Sequence, residues 1–212
     1  MNAAKGDHPI HDTLSALFSA AGSGDIDSIR SLLSAGVDID ARNRRRETPV
    51  LRAAKEGQLH AVRYFIEAGA DIDLQDETCL NPFLTGCISN NLGLVRLTVE
   101  AGADLNRLTR FGGNGLTPAA EKGHVDVVEY LLESTDINVN LTNTLGWTAL
   151  IEAIILGDGG PTYQEVVHLL LGHGADPGLT DEWGVTPREL AERRGLTEVV
   201  DLIDAAALAL EQ

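Results

Sequence analysis

A helix-start signal returns along this chain at a nearly constant interval. Aligned on Thr48-Pro49, the equivalent positions are Ser15, Thr48, Asn81, Asn114, Thr148 and Thr186, at spacings of 33, 33, 33, 34 and 38 residues. A fixed period of this length restricts the fold more than any single motif could. Each period is one supersecondary unit too small to bury its own apolar face, so neighbouring units must stack to form a core. Function then belongs on the surface the stack shares, not in one enclosed pocket.

The unit is a pair of short helices. Thr48 suits a helix N-cap and Pro49 the first helical position, where no amide donor is needed. Thr186-Pro187 repeats the pair, and Asn81-Pro82 substitutes Asn. Small residues follow inside the first helix, as in Ala20-Ala21, Ala53-Ala54, Gly86-Cys87, Ala119-Ala120 and Ala153-Ile154, and let neighbouring helices approach closely. Gly24, Gly57, Gly123, Gly157 and Gly195 are expected to end that helix in the left-handed conformation. The second helix carries an apolar stripe at spacings of three and four, as in Ile29 with Leu32-Leu33 and Val62 with Phe65-Ile66. Gly36, Gly69, Gly102 and Gly174 close it, and Asp38, Asp71, Asp104 and Asp176 follow in the exit loop. A short extended segment then leads to the next unit and is expected to project as a hairpin. Gly112, Gly146 and Gly184 stand at its turn, whereas Arg46 and Cys79 occupy the equivalent sites of the first two hairpins.

With its Thr-Pro starts, Gly-Ala-Asp ends and period near 33, the chain resembles the ankyrin repeat over about residues 12–204. The resemblance implies an all-α solenoid of helix-turn-helix units with projecting β-hairpin loops. The expected organisation is a flexible N-terminal segment, residues 1–11, before a single domain of about six repeats over 12–212. The repeats fall at approximately 12–43, 44–76, 77–109, 110–143, 144–181 and 182–212, the first and last being polar caps. Two irregularities break the period. Ser134 to Asn140 is one residue longer than its counterparts, and about five residues are inserted within Gly157 to Glu165. Gly159-Gly160-Pro161 cannot continue a helix, so the insertion is expected to be a longer loop. These features are similar to small bacterial ankyrin-repeat proteins.

The net charge of -16 disfavours a nucleic-acid partner, because such a field repels phosphate backbones. No apolar run approaches the ~18 residues of a membrane span, and Met1 to His11 has no signal-peptide core. A cytoplasmic protein is expected; a chain whose leader had been removed would be periplasmic or secreted. Polar caps argue for a monomer.

The search for chemistry returns nothing specific. Ser23 sits between two turn glycines with no His fixed near it, and Gly112-Gly113-Asn114-Gly115 lacks the Gly-Lys-Ser/Thr ending of a phosphate loop. His8 and His11 have no third ligand near in sequence and read as exposed tail residues. By the resemblance, His124 implies a structural hydrogen bond to the neighbouring loop. Cys87 fits a core site and Cys79 a hairpin, which favours two free thiols. No catalytic residue, metal or cofactor is expected.

What varies between units is the hairpin and the exposed side of the first helix. The first hairpin offers Arg42, Arg44, Arg45 and Arg46 with Arg52 behind, and the second Glu77, Thr78 and Leu80 with Thr85 behind. The third offers Arg107, Arg110 and Phe111, then Pro118. The fourth offers Thr144, Leu145 and Trp147 with Glu152 behind, and the last Glu182, Trp183 and Val185. Arg and Trp are the types most often found as interface anchors. Each Trp is either such an anchor or a ring packed on the next hairpin. The arginines either pair with an acidic partner or form a solvated turn neutralised by acidic neighbours. The expectation is a non-enzymatic protein-interaction module whose partner binds the concave face of hairpin tips and inner helices. The residues expected to carry it are Arg44, Arg45, Arg52, Arg110, Phe111, Leu145, Trp147 and Trp183. The alternative is a small-molecule or peptide binder using the same groove.

Overall fold

The structure, a computed structural model, describes the backbone of residues 8–210 and the side chains of residues 12–208. The described residues form twelve α-helices: α1 (His8–Ser23), α2 (Ile26–Ser34), α3 (Pro49–Lys55), α4 (Leu59–Glu67), α5 (Pro82–Ile88), α6 (Leu92–Glu100), α7 (Leu116–Glu121), α8 (Val125–Ser134), α9 (Ala149–Leu156), α10 (Pro161–Gly172), α11 (Pro187–Arg194) and α12 (Thr197–Leu210). The first helix starts at His8, ahead of the expected Asp12; residues 1–7 of the expected flexible segment lie outside the described ones, as do the side chains of His8 and His11.

The helices form as the start signals require. The hydroxyl oxygens of Thr48, Thr148 and Thr186 accept from the backbone N–H of Leu51, Ile151 and Glu189, each at the third helical position. Thr186 and Glu189 complete a reciprocal capping box. Asn81 caps α5 in the same way, accepting from Leu84 N–H at 2.9 Å. Asn114 accepts from Leu116 N–H, and α7 starts late and runs for only 6 residues.

The chain divides into two compact units. The first comprises residues up to Gly86 together with Gly93–Asp104, the second Cys87–Leu92 together with Leu105 onward. In the first, α3 packs between α1 and α4, over a core of Leu17, Ile29, Leu51, Val62 and Phe65. Ala53, Ala54 and Gly86 are buried in that unit. A Cβ on Gly86 would lie 2.9 Å from a Val95 methyl and 3.1 Å from its backbone nitrogen, so that contact admits only glycine. In the second unit, α9 packs against α7, α10 and α11, and α12 closes on α10 and α11. Leu116, Leu131, Ile151, Ile154, Val167 and Ile203 fill its core.

Among the described residues no β-strand forms, so the expected β-hairpins are hydrogen-bonded loops instead. Each is closed by two backbone bonds, as Asn43 N–H to Glu47 O and Arg46 N–H to Asn43 O, too few for a ladder. Arg46 and Cys79 adopt the left-handed conformation of the glycines they replace, with φ of 60° and 62° against 83°, 73° and 76° at Gly112, Gly146 and Gly184. The turn is therefore the same throughout.

Two expectations about the fifth unit need correction. Gly157 ends α9 extended, at φ -71° and ψ 167°, and Gly159 carries the positive φ instead. The insertion is also only partly a loop. Gly160 is the N-cap of α10 and Pro161 its first residue, so the later inserted residues extend α10 to 12 residues. Proline cannot continue a helix but is well suited to begin one.

Candidate partner-binding surface

Every hairpin except the third is braced by an Asn or Asp at its base. The Oδ1 of Asn43 accepts from Arg45 and Glu47 N–H, and that of Asp76 from Thr78 and Leu80 N–H. Asn143 does the same for Leu145 and Trp147, and Asp181 for Trp183 and Val185. Thr109 occupies the site in the third hairpin. Sequence reading passed over this brace, although an Asn or Asp three residues before the turn position is visible in the sequence. The tip residue, just before the left-handed one, is Arg45, Thr78, Phe111, Leu145 or Trp183, and all five are exposed.

In the first unit the exposed hairpin residues are mostly charged. Arg44, Arg45 and Arg46 are exposed, but Arg42 is turned inward and donates to the carbonyls of Arg46 and Gln75. Arg42 is thus part of the scaffold. Glu77 N–H donates to Arg45 O at 2.9 Å, linking the first two tips. Arg52 is exposed and stands 3.4 Å from Glu56 and 3.9 Å from Glu47. Lys55 bridges two buried carboxylates, Glu47 at 3.0 Å and Asp76 at 2.6 Å. Burial alone would lower the Lys55 pKa, but the bonds to Asp76 and Glu47 outweigh it and hold the ammonium above its ordinary range. Burial would likewise raise the Asp76 carboxyl, yet Lys55, Thr78 and the Leu80 N–H together hold it below the usual range. Beside this hairpin, Leu14 and Phe18 of α1 line an open cleft of about 560 Å³ with Arg44 and Arg45.

In the second unit the tips are apolar. Phe111 is 61% exposed, Leu145 40% and Trp183 67%. They hold the same register in three successive hairpins, joined by Thr144 N–H to Phe111 O at 2.9 Å and Glu182 N–H to Leu145 O at 3.4 Å. The Arg110 guanidinium lies over the Phe111 ring, 4.9 Å from its centroid. Trp147 differs from Trp183. It follows the turn glycine, is half-buried, and its indole N–H is enclosed without an acceptor.

Three residues expected behind the tips are buried: Thr85 and Glu152, and Pro118 inside α7. Thr85 donates to Asn81 O at 2.8 Å, one turn earlier in α5. Glu152, only 7% exposed, accepts from Asn143 Nδ2 at 2.7 Å. Burial and the nearby Glu121 charge outweigh that hydrogen bond and push its carboxyl up to about 7. Elsewhere in this unit His124 Nε2 lies 3.1 Å from Ile88 O, the structural contact expected of it. Arg194 of the last pair caps the C-terminal end of α9, donating to the carbonyls of Ile154, Ile155 and Gly157. Cys79 and Cys87 are free, and burial raises the Cys87 thiol far above its ordinary range. Among the described residues no three of His, Cys, Asp and Glu are placed to share a metal ion, and no helix is long and apolar enough to cross a membrane.

Helix pairs closed by glycines, with braced hairpins between them, define the class, and comparison with known proteins agrees. The profile of ankyrin repeats in three copies matches residues 84–181, and that of ankyrin repeats in many copies matches residues 17–66 and 50–93. The chain belongs to the ankyrin-repeat family, whose members generally serve as protein–protein interaction modules. It is 52% identical to the ankyrin repeat protein YahD of Escherichia coli (strain K12) over 187 residues, 88% of this chain and 93% of that one. Among solved structures, an ankyrin repeat domain (ABAYE2397) from Acinetobacter baumannii AYE matches with a TM-score of 0.86 at 43% identity, over 90% of this chain and 97% of that one. The ankyrin repeat protein EF0377 matches with a TM-score of 0.84 at 34% identity, over 89% and 96% of the respective chains.

Proposed function

We propose that this chain is a non-enzymatic protein-interaction module whose partner is another protein bound on its hairpin tips. One observation carries the reading. Phe111, Leu145 and Trp183 stand at the same register of three successive hairpins and expose apolar surface that folding leaves uncovered. A folded chain gains nothing from an exposed tryptophan, whereas a partner that covers it gains the burial of a large ring. Arg110, stacked on Phe111, extends the row with a guanidinium. In the first unit Arg44, Arg45 and Arg52 offer a separate contact for an acidic part of the partner.

The test is quantitative affinity capture from the source cell with wild type and the triple variant Phe111→Ala, Leu145→Ala, Trp183→Ala, its fold checked by circular dichroism. A protein enriched by wild type and lost from the variant is the expected result. Full retention of every captured protein by the variant would overturn the reading. A second reading, a peptide or small-molecule binder, draws on the cleft between Leu14, Phe18, Arg44 and Arg45. Native mass spectrometry of the purified chain separates the two readings, because only the second leaves a small molecule or peptide bound.

A further inference from the structure

The residues inserted in the fifth unit lengthen its second helix, which packs against the 14-residue α12 of the last pair. α10 runs for 12 residues, against 9 in α2, α4 and α6 and 10 in α8. Its first turns supply Pro161, Gln164 and Glu165 to one end of an open groove of about 530 Å³, faced by Glu198, Asp201 and Leu202 of α12. His168 and Leu202 then lead into a second stretch of about 720 Å³, walled by Leu171, Ala205 and Ala206 and floored by Ala175 and Pro177. The two stretches share His168 and Leu202, so they are one groove between α10 and α12. None of its lining residues belongs to the tip row.

The groove is divided by chemistry along its length. The early residues of both helices line the acidic end, and the later residues of both line an apolar end whose one carboxylate, Asp176 of the loop after α10, accepts from Gly178 N–H. Among the described residues, Glu165, Glu198 and Asp201 are exposed and none is ion-paired. The apolar wall is mostly alanine, shallow enough to accept larger side chains. We infer that this groove is a second docking surface for an amphipathic segment of a partner protein, basic at one end and apolar at the other. Lysines or arginines of that segment meet the three carboxylates, and its leucine-like residues lie on Leu171, Leu202 and Ala206. A helix spanning the length of α10 needs about three turns, or ~18 Å. The match of charge sets the direction in which the segment lies.

The probe is a helical peptide of about 14 residues, with lysines in its first half and leucines along one face of its second half. A version with glutamates in place of the lysines serves as its counterpart. Binding to the full chain is read by fluorescence anisotropy at low salt. The lysine peptide is expected to bind at least about tenfold more tightly than the glutamate version. The double variant Glu198→Lys, Asp201→Lys should weaken the lysine peptide by about tenfold and strengthen the glutamate one. Ala206→Glu should weaken the lysine peptide while leaving the glutamate one no tighter. Asp126→Lys with Glu129→Lys, two exposed changes on α8, should alter neither by more than about twofold. No binding of the lysine peptide, equal binding of both peptides, or equal loss in the α8 variant would overturn the proposal. So would a dimer in sedimentation that Ala206→Glu dissolves, because the groove would then hold a second copy of this chain.

Discussion

The side-chain amide of Asn143 holds the hairpin and the helix behind it together, donating from Nδ2 to Glu152 at 2.7 Å while its Oδ1 takes the N–H groups of Leu145 and Trp147. One residue thus sets the tip that presents Leu145 and satisfies a buried carboxyl. Asn143→Ala removes all three bonds and leaves Glu152 buried without its donor. We predict a loss of about 2–3 kcal/mol in urea unfolding, since an unsatisfied buried polar group costs more than a hydrogen bond contributes. A loss below about 0.5 kcal/mol would show that the brace is dispensable.

Glu152 makes stability depend on pH in a direction opposite to most carboxylates. Its folded value, about 7, lies above the ordinary 4.5, so its neutral form suits the fold. The contribution is fully present below the unfolded value and is lost as pH rises through about 7. Glu152→Gln keeps an acceptor for Asn143 and cannot ionise. The variant should gain on wild type by roughly 2 kcal/mol between pH 5 and pH 8, a figure of the order that a shift of this size implies. Chemical denaturation at both pH values measures the gap, and a gap that does not change would refute the assignment.

The two tryptophans should separate cleanly in stability. Trp183→Ala removes an exposed ring and should change unfolding by no more than about 0.5 kcal/mol. Trp147→Ala removes a half-buried ring and should cost about 2 kcal/mol, less than the 3–5 of a fully enclosed one. Thermal unfolding of the two variants side by side checks this ordering.

Lys55 is the cation between Glu47 and Asp76, both almost fully buried. Lys55→Met leaves Asp76 without a cation and Glu47 with Arg52 alone at 3.9 Å, and should cost about 2–3 kcal/mol at neutral pH, below the full penalty of a buried pair because Lys55 is itself partly exposed. Asp76 is held below its ordinary 3.8, so the stability it contributes is present above that value and lost as pH falls through its lower folded value. The difference between wild type and variant should therefore shrink in acid. A difference that grows as pH falls would contradict the pairing.

Much of the fold was legible because the repeat writes it several times over. Thr48, Thr148 and Thr186 make the cap bonds their positions imply, and Gly36, Gly69, Gly102 and Gly174 all take the positive φ of a helix exit. Where one copy departs, the signal weakened. Pro161 read as a helix breaker, although one place along it is a helix starter, and the left-handed residue moved from Gly157 to Gly159. The tryptophans were ambiguous by composition but not by position. The residue before the turn glycine points outward, as Phe111 and Trp183 do, whereas the residue after it is enclosed, as Glu47 and Val185 are, and Trp147 follows that second rule. Arg42 could not be told from Arg44 and Arg45, because its partner Gln75 O is a main-chain atom 33 residues away.

Binding of a protein partner to the apolar tips of the second unit, as proposed, can be measured as the dissociation constant of the captured partner for wild type and for Trp183→Ala, with the exposed outer-helix change Glu129→Ala as control. A weakening of about thirtyfold for Trp183→Ala, as expected of an interface anchor, with the control unchanged, is the predicted result. Equal affinity of wild type and Trp183→Ala would contradict it.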